Sequence, residues 1–319
     1  MRLQLLENAA GTGENMLHQS VLNDEVHSLL HPAPGKIAVD CTLGPGGHAE
    51  RVLEAISPDG FLFGFDRDPC ALLLAGERLA RFGKRFQPLH SDFREIARLV
   101  TVPVGLILAD LGVSSLQMLD PVRGFTFSSD GPLDMRMDQS HGETAAELVA
   151  RSDESSLTRI LQKFGEEPQA RMIARAIVHA KAQGPVTSTR QLAEIVTRAV
   201  RFRGVSRTHP ATRTFMALRI AVNDELNGLD RFIEESVSLL APGGRIGIIS
   251  FHSLEDRIVK NAFRALANRC TCPVDLPVCG CGREDMIRIV TPRPVTPSEQ
   301  ELRDNPRSRS AKLRVAERL

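Results

Sequence analysis

Ile37-Ala38-Val39-Asp40-Cys41-Thr42-Leu43-Gly44-Pro45-Gly46-Gly47-His48 is the stretch whose reading decides the fold. Three apolar residues lead into an acid, and a glycine-rich turn follows. Residues 49–56 then carry Val52, Leu53 and Ile56 at helical spacing. Strand, glycine turn and helix form the entry unit of an open parallel sheet, whose ligands sit outside the carboxyl ends of the strands. Glycine in that turn admits dihedrals closed to other residues and lets backbone approach a ligand.

Working outward, Phe61-Leu62-Phe63-Gly64-Phe65 reads as a second strand ending at Asp66, an acid placed to accept hydrogen bonds from ribose hydroxyls. A dinucleotide fingerprint would read G-x-G-x-x-G. Here the spacing is Gly44-x-Gly46-Gly47, without the third glycine at its usual place. The turn therefore suits S-adenosylmethionine rather than NAD, with the glycines serving the methionine end and Asp66 the ribose. A third strand is expected at Phe86 to His90, before Ser91-Asp92-Phe93, and a fourth at Val104 to Asp110, an apolar run typical of a strand buried on both faces. Four strand ends thus carry Asp40, Asp66, Asp92 and Asp110 toward one rim, although any one of them could be a helix cap.

After Asp110 the alternation stops. Residues 121–137, rich in Gly, Pro, Ser and Asp, read as a long loop, which is usually functional or disordered. Helical spacing without strands follows near 144–150, 153–164, 168–182 and 188–201, and a further helix starts at Thr208-His209-Pro210 and runs to Leu226. The α/β pattern resumes with a helix through Leu229 to Ile233, a strand at Arg245 to Ser250, a capping-box-like Ser253-Leu254-Glu255-Asp256 and a strand at Met286 to Val290. The tail from Arg303 is basic. The expectation is an α/β chain with a mostly parallel sheet and an inserted all-helical domain, the insert at 125–213 and the sheet domain at 1–124 and 214–319.

With 42% hydrophobic and 25% charged residues, the chain has the composition of a soluble globular protein. No apolar run approaches the roughly 20 residues that span a membrane, and residues 1–15 lack the apolar segment of a secretory signal. The cytoplasm is the expected compartment. Six cysteines in 319 residues do not suggest a disulfide scaffold. Cys270-Thr271-Cys272 and Cys279-Gly280-Cys281 read as reduced loop thiols, with a zinc site as the alternative, although C-x-C is not the usual zinc spacing. No metal is expected at the active site.

Net charge is +1, so a nucleic-acid signal must be local. It is local: from Arg171 to Arg219 run ten Lys or Arg residues against the single acid Glu194. So lopsided a run favours a phosphate-binding surface over a solvated face of mixed sign. Trp and Tyr are absent, so base stacking must fall to Phe, His or Arg. Phe125, Phe127 and His252 are the candidates that stand above plain core.

Five motifs in order carry a resemblance: Asp40 to His48; Asp110-Leu111-Gly112-Val113-Ser114-Ser115-Leu116-Gln117; Asp130-Gly131-Pro132-Leu133-Asp134-Met135-Arg136-Met137; His209-Pro210-Ala211-Thr212-Arg213-Thr214-Phe215; and Ser250-Phe251-His252-Ser253-Leu254-Glu255-Asp256-Arg257. From about His18 to Arg318 the chain resembles the bacterial 16S rRNA (cytosine-N4)-methyltransferase family (RsmH, formerly MraW). The resemblance implies a Rossmann-like class I methyltransferase fold and S-adenosylmethionine-dependent methylation of N4 of one cytidine in the decoding region. It implies cofactor contacts at Gly46, Gly47, His48, Asp66, Phe93, Asp110 and Gln117. Pro45 stands where many relatives have a polar residue. Asp110, or a carbonyl of the loop after it, is the expected catalytic acceptor; other amino-methyltransferases have two prolines after that acid, where this chain has Leu-Gly-Val. The expected partner is 16S rRNA or the small ribosomal subunit; no membrane is expected, and a homodimer is left open. A DNA amino-methyltransferase, a non-catalytic ribosome-assembly factor and, third, an NAD dehydrogenase are the competing readings.

Overall fold

The structure, a computed structural model, describes residues 20–200, 209–268, 272, 281 and 284–319. Two compact units divide the chain, Met1–Leu111 with Asp230–Leu319, and Gly112–Leu229.

The first unit is built on a sheet of seven strands: β1 (Ile37–Asp40), β2 (Phe61–Asp66), β3 (Phe86–His90), β4 (Val104–Asp110), β5 (Leu240–Ser250), β6 (Ile287–Ile289) and β7 (Lys312–Arg318). Their spatial order is β3-β2-β1-β4-β5-β7-β6. The five strands from β3 to β5 pair in parallel, and β7 runs antiparallel to both β5 and β6. This is the mostly parallel, Rossmann-like sheet expected. Its order reverses between β1 and β4, the switch point where open α/β sheets bind ligands. The register sets Asp40 opposite Leu108 and Asp66 opposite His90, so the acids end neighbouring strands at one edge. β4 is buried along nearly its whole length, which accounts for its continuous apolar sequence.

The basic tail turns out to be a strand. In Lys312-Leu313-Arg314-Val315-Ala316-Glu317-Arg318, Leu313 and Val315 are fully buried, while Lys312 and Arg314 both pair with Asp256. Its charge is therefore used within the sheet domain, and the alternation of apolar and polar residues is the period of a strand.

The second unit is helical: Ala145–Arg151, Glu154–Gly165, Ala170–Gln183, Thr189–Ala199 and Thr212–Asn223. Side-chain caps set the starts of three of them. Thr144 and Glu147 form a reciprocal capping box, and Asp153 and Ser188 accept from Ser156 N and Gln191 N. Asp224, at φ 49°, ends the last helix short of the expected Leu226.

Both unit boundaries fall outside the 125–213 read from sequence, for a packing reason. Phe125, Leu133 and Met135, from the presumed loop, join one core with Leu157, Leu161, Ile173 and Ile177, and so do Phe215 and Leu218. The loop is itself ordered. Asn223 donates through Nδ2 to Met135 O (2.7 Å) and accepts from Met137 N through Oδ1 (2.8 Å). Arg123 Nη2 donates to the carbonyls of Arg136 and Met137, and Asp134 accepts from Arg136 N and Nε.

Candidate active site

The turn after β1 is held by a ladder of hydrogen bonds. Cys41 N donates to Leu108 O, Leu43 N to Phe65 O and Gly46 N to Leu43 O. Asp40 Oδ1 accepts from Thr42 N at 3.1 Å, and Thr42 Oγ1 accepts from Asp110 N at 2.6 Å. Gly44 and Gly46 have φ of 51° and 84°, the left-handed region where a side chain would be strained. Gly47, the first residue of helix Gly47–Ala55, has a different reason: a Cβ there would lie 2.2 Å from Ser20 Oγ. His48 follows, buried, with Nε2 3.8 Å from Asp110 Oδ2.

Asp66 is half-buried, and both its oxygens accept backbone N–H groups at 2.8 Å, Oδ2 from Gly44 and Oδ1 from Asp68. Asp68 in turn caps the helix Pro69–Leu79 through Cys70 N. Phe93, half-buried beyond β3, meets the Phe232 ring edge-on with centroids 4.6 Å apart.

The four strand-end acids are not equivalent. Burial pushes Asp40 up to about 7, against the lowering effect of the Thr42 N–H, and the nearby charge of Asp66 adds to the rise. Burial likewise raises Asp66 to about 6, opposed by the N–H groups of Asp68 and Gly44. Asp110 is raised well above the carboxylate range, by burial first and then by the charges of Asp40 and Glu255. Asp92 goes the other way: burial raises it, but hydrogen bonds from Arg94 and the charge of Arg67 outweigh that. Asp92 also caps the short turn at Phe93–Glu95. It is a structural ion-pair centre, whereas Asp40, Asp66 and Asp110 are held above the ordinary carboxylate range, by burial first. Among the described residues, Asp110 Oδ1 is a buried oxygen with no hydrogen-bond partner. Such an atom, beside carboxyls that resist ionisation, suits a ligand that brings positive charge or a donor.

Sequence reading thus placed Gly46, Gly47, His48, Asp66, Phe93 and Asp110 in one unit, and the first three and Asp66 and Asp110 are linked through the turn. It missed Thr42, whose hydroxyl ties that turn to the end of β4; a hydroxyl two residues past the strand-end acid was the available signal. It missed Glu255 as well. That residue is buried and accepts Phe251 N (2.9 Å) and His252 N through Oε2. The helix cap is His252 rather than Ser253, through Nδ1 accepting from Glu255 N.

Gln117 belongs to the helical unit. It is buried and completes a capping box, its Oε1 accepting from Ser114 N at 3.0 Å. Of the three stacking candidates, two are corrected. Phe125 is buried in the helical core, and the His252 side chain is only 6% exposed beside Glu255, so neither ring is open to a base. Phe127 is half-buried, with its ring against His209. The charge imbalance of the helical stretch is also smaller in space than in sequence. Glu154 lies within 3.6 Å of Arg171 and 3.5 Å of Arg175, and Asp130 pairs with Arg190. Among the cysteines, Cys272 and Cys281 are half-buried, while Cys270 and Cys279 lie outside the described residues. No described helix is long and apolar enough to cross a membrane.

A family model described as the MraW methylase family matches residues 15–319. The chain belongs to the MraW methylase family. Curated MraW relatives agree along nearly the whole length. Ribosomal RNA small subunit methyltransferase H of Geobacter sulfurreducens is 53% identical over 308 residues, covering 95% of this chain and 99% of that one. The protein of the same name from Pelobacter propionicus is 52% identical over 309 residues (95% and 98%), and that from Trichlorobacter lovleyi 50% over 313 (96% and 99%). The glycine turn and the acidic rim described above therefore belong to an MraW methylase.

Proposed function

We propose that this chain is an S-adenosylmethionine-dependent enzyme that methylates N4 of a cytidine in the decoding region of 16S ribosomal RNA. The observation that carries the reading is near-full-length identity of about half to relatives named small-subunit rRNA methyltransferases. The rim supports it. Three carboxyls that resist ionisation, one with an unmet oxygen, suit a cationic nucleoside cofactor. S-adenosylmethionine would supply an electrophilic methyl group on a positively charged sulfur, without a metal.

Gly46, Gly47 and His48 would hold the methionine end and Asp66 the ribose hydroxyls, with Phe93, Asp110 and Gln117 as further contacts. The amine of cytosine is a poor nucleophile, because its lone pair is delocalised into the ring. The protein's main contribution is to hold that nitrogen in line with the methyl carbon; such positioning supplies about 7–11 kcal/mol in well-oriented cases. The base leaves its stack to reach the pocket. Asp110 Oδ1 accepts the proton that N4 sheds. Burial first, and then the charges of Asp40 and Glu255, hold this carboxyl above the ordinary range, and a cation nearby favours its ionised, proton-accepting form. The helical unit would bind RNA phosphates through its basic side chains. The reading needs no second copy of the chain, and an enzyme acting on small-subunit RNA would work in the cytoplasm.

The test is methyl transfer from labelled S-adenosylmethionine to small-subunit particles prepared from cells lacking the chain. Label at one cytidine N4 is expected. Cofactor binding without transfer would point to an assembly factor, and label on DNA offered beside the particles, in place of RNA, to the DNA enzyme.

A further inference from the structure

Three rings in the helical unit stand in a row that ends at the surface. Phe215, buried in the helical core, receives the Phe127 ring edge-on, with centroids 4.9 Å apart and planes at 70°. Phe127 in turn lies against His209, with centroids 4.6 Å apart and planes only 30° from parallel. His209 is exposed. Its ring is fixed from a second direction, since Nδ1 accepts from Ala211 N at 3.2 Å, so the proton of the neutral ring sits on Nε2. The imidazole is therefore held at its edge by backbone and on one face by an aromatic ring.

We propose that His209 is a stacking platform for an unpaired base of the RNA substrate. The inference rests on the methyltransferase reading above and deepens it by naming a substrate-contacting residue. The chain has no Trp and no Tyr, so base stacking must fall to Phe, His or Arg. Phe125 is buried, and the His252 side chain is only 6% exposed. An exposed imidazole tilted 30° on a phenyl ring extends an existing ring contact, and an aromatic face takes any base because every base has a π-face. The Nε2–H at the outer edge can also donate to a phosphate or a base carbonyl. A histidine serving only to accept from Ala211 N would need Nδ1 alone and would not need Phe127 beneath it.

Two variants of the full chain separate the roles. His209→Asn keeps an acceptor for Ala211 N and removes the ring; His209→Phe keeps the ring and removes the acceptor. Methylation of small-subunit particles from cells lacking the chain is measured for both, with the wild type as control. The expected result for His209→Asn is a small fall in Tm from the lost contact with Phe127, unchanged cofactor affinity and a kcat/KM lower by about 5- to 150-fold, the range for one stacked base. His209→Phe is expected to stay within about threefold of wild type despite a lower Tm. A wild type that transfers no methyl group would defeat the enzymatic reading itself. With an active wild type, His209→Asn at full kcat/KM, or His209→Phe falling as far as His209→Asn, would overturn the platform.

Discussion

The carboxylate of Asp66, at the end of β2, accepts the backbone N–H of Gly44, 2.8 Å away and 22 residues earlier. The acid expected to meet ribose thus also braces the glycine turn, and its other oxygen holds Asp68 N. The first bond holds Gly44, at φ 51°, to the end of β2, and the second orders the chain that leaves β2 toward the helix Pro69–Leu79. Hydrogen bonds to a charged group are worth about 1.5–3 kcal/mol each. Asp66→Ala should therefore weaken S-adenosylmethionine binding by at least about tenfold and lower Tm. Asp66→Asn, which keeps one acceptor oxygen, should fall between. Titration calorimetry reads both; wild-type affinity in Asp66→Ala would refute the dual role.

Gly47 and Ser20 make a second coupled pair. A Cβ on residue 47 meets the Ser20 hydroxyl at 2.2 Å, but the Ser20 Cβ only at 3.6 Å. Gly47→Ala should destabilise the chain by about 1–3 kcal/mol, the usual cost of overpacking. Adding Ser20→Ala should recover most of that loss. Denaturant unfolding of the two single variants and the double variant checks the pair, and the absence of recovery would show that the turn rejects a side chain for another reason.

The raised acids give a pH dependence of definite sign. Asp40 and Asp66, at about 7 and about 6 in the fold, bind protons that the unfolded chain releases near the ordinary carboxylate value. Their contribution to stability is full below that value and is lost as pH climbs through the folded values. Asp92, Asp134 and Asp256 are lowered, so they change only below this window. The cofactor-free chain should lose several degrees of Tm between about pH 4.5 and 7.5, and Asp40→Asn should flatten the slope. A Tm that rises across the window in the wild type would contradict the buried-acid account.

The same cluster predicts a difference between two ligands. S-adenosylmethionine carries a sulfonium charge that S-adenosylhomocysteine lacks, and a cation favours ionised carboxyls. Raising pH from 6 to 8 should tighten S-adenosylmethionine binding more than S-adenosylhomocysteine binding, by about threefold or more. Parallel pH series for the two ligands would expose a wrong assignment if their slopes were the same.

In the helical unit, Glu154 neutralises Arg171 and Arg175, which are both well exposed. If these arginines face RNA phosphates, Glu154→Gln should tighten binding of small-subunit RNA about two- to fivefold at low salt and steepen its salt dependence. Filter binding across a salt series reads the effect. Unchanged affinity would remove this face from the RNA-binding surface.

What was legible in the sequence followed from local pattern. β1, β2 and β4 are apolar runs ending in acids, and the helices of the second unit keep strict apolar spacing, so both were visible. β7 was not, because its charges masked an alternating strand whose partners, β5 and Asp256, are distant in sequence. Gly46, Gly47 and Asp66 stood out through residue type. The roles of Thr42 and Glu255, and the stack on His209, depend on partners brought together by folding, which no window of sequence contains. His252 misled as a stacking candidate, because the fold uses its ring as a helix cap beside Glu255. The basic stretch misled in magnitude, since its counter-charges Glu154 and Asp130 precede it in the chain.

The central claim is that this chain places one methyl group on N4 of one cytidine of small-subunit RNA. Mass mapping of modified nucleotides in ribosomal RNA from cells lacking the chain tests it most directly. The account predicts that a single cytidine in the decoding region loses one methyl group from N4 and regains it when the wild-type chain is restored, but not when Asp110→Ala is. An unchanged modification map, or a methyl lost from another atom or another RNA, would contradict it.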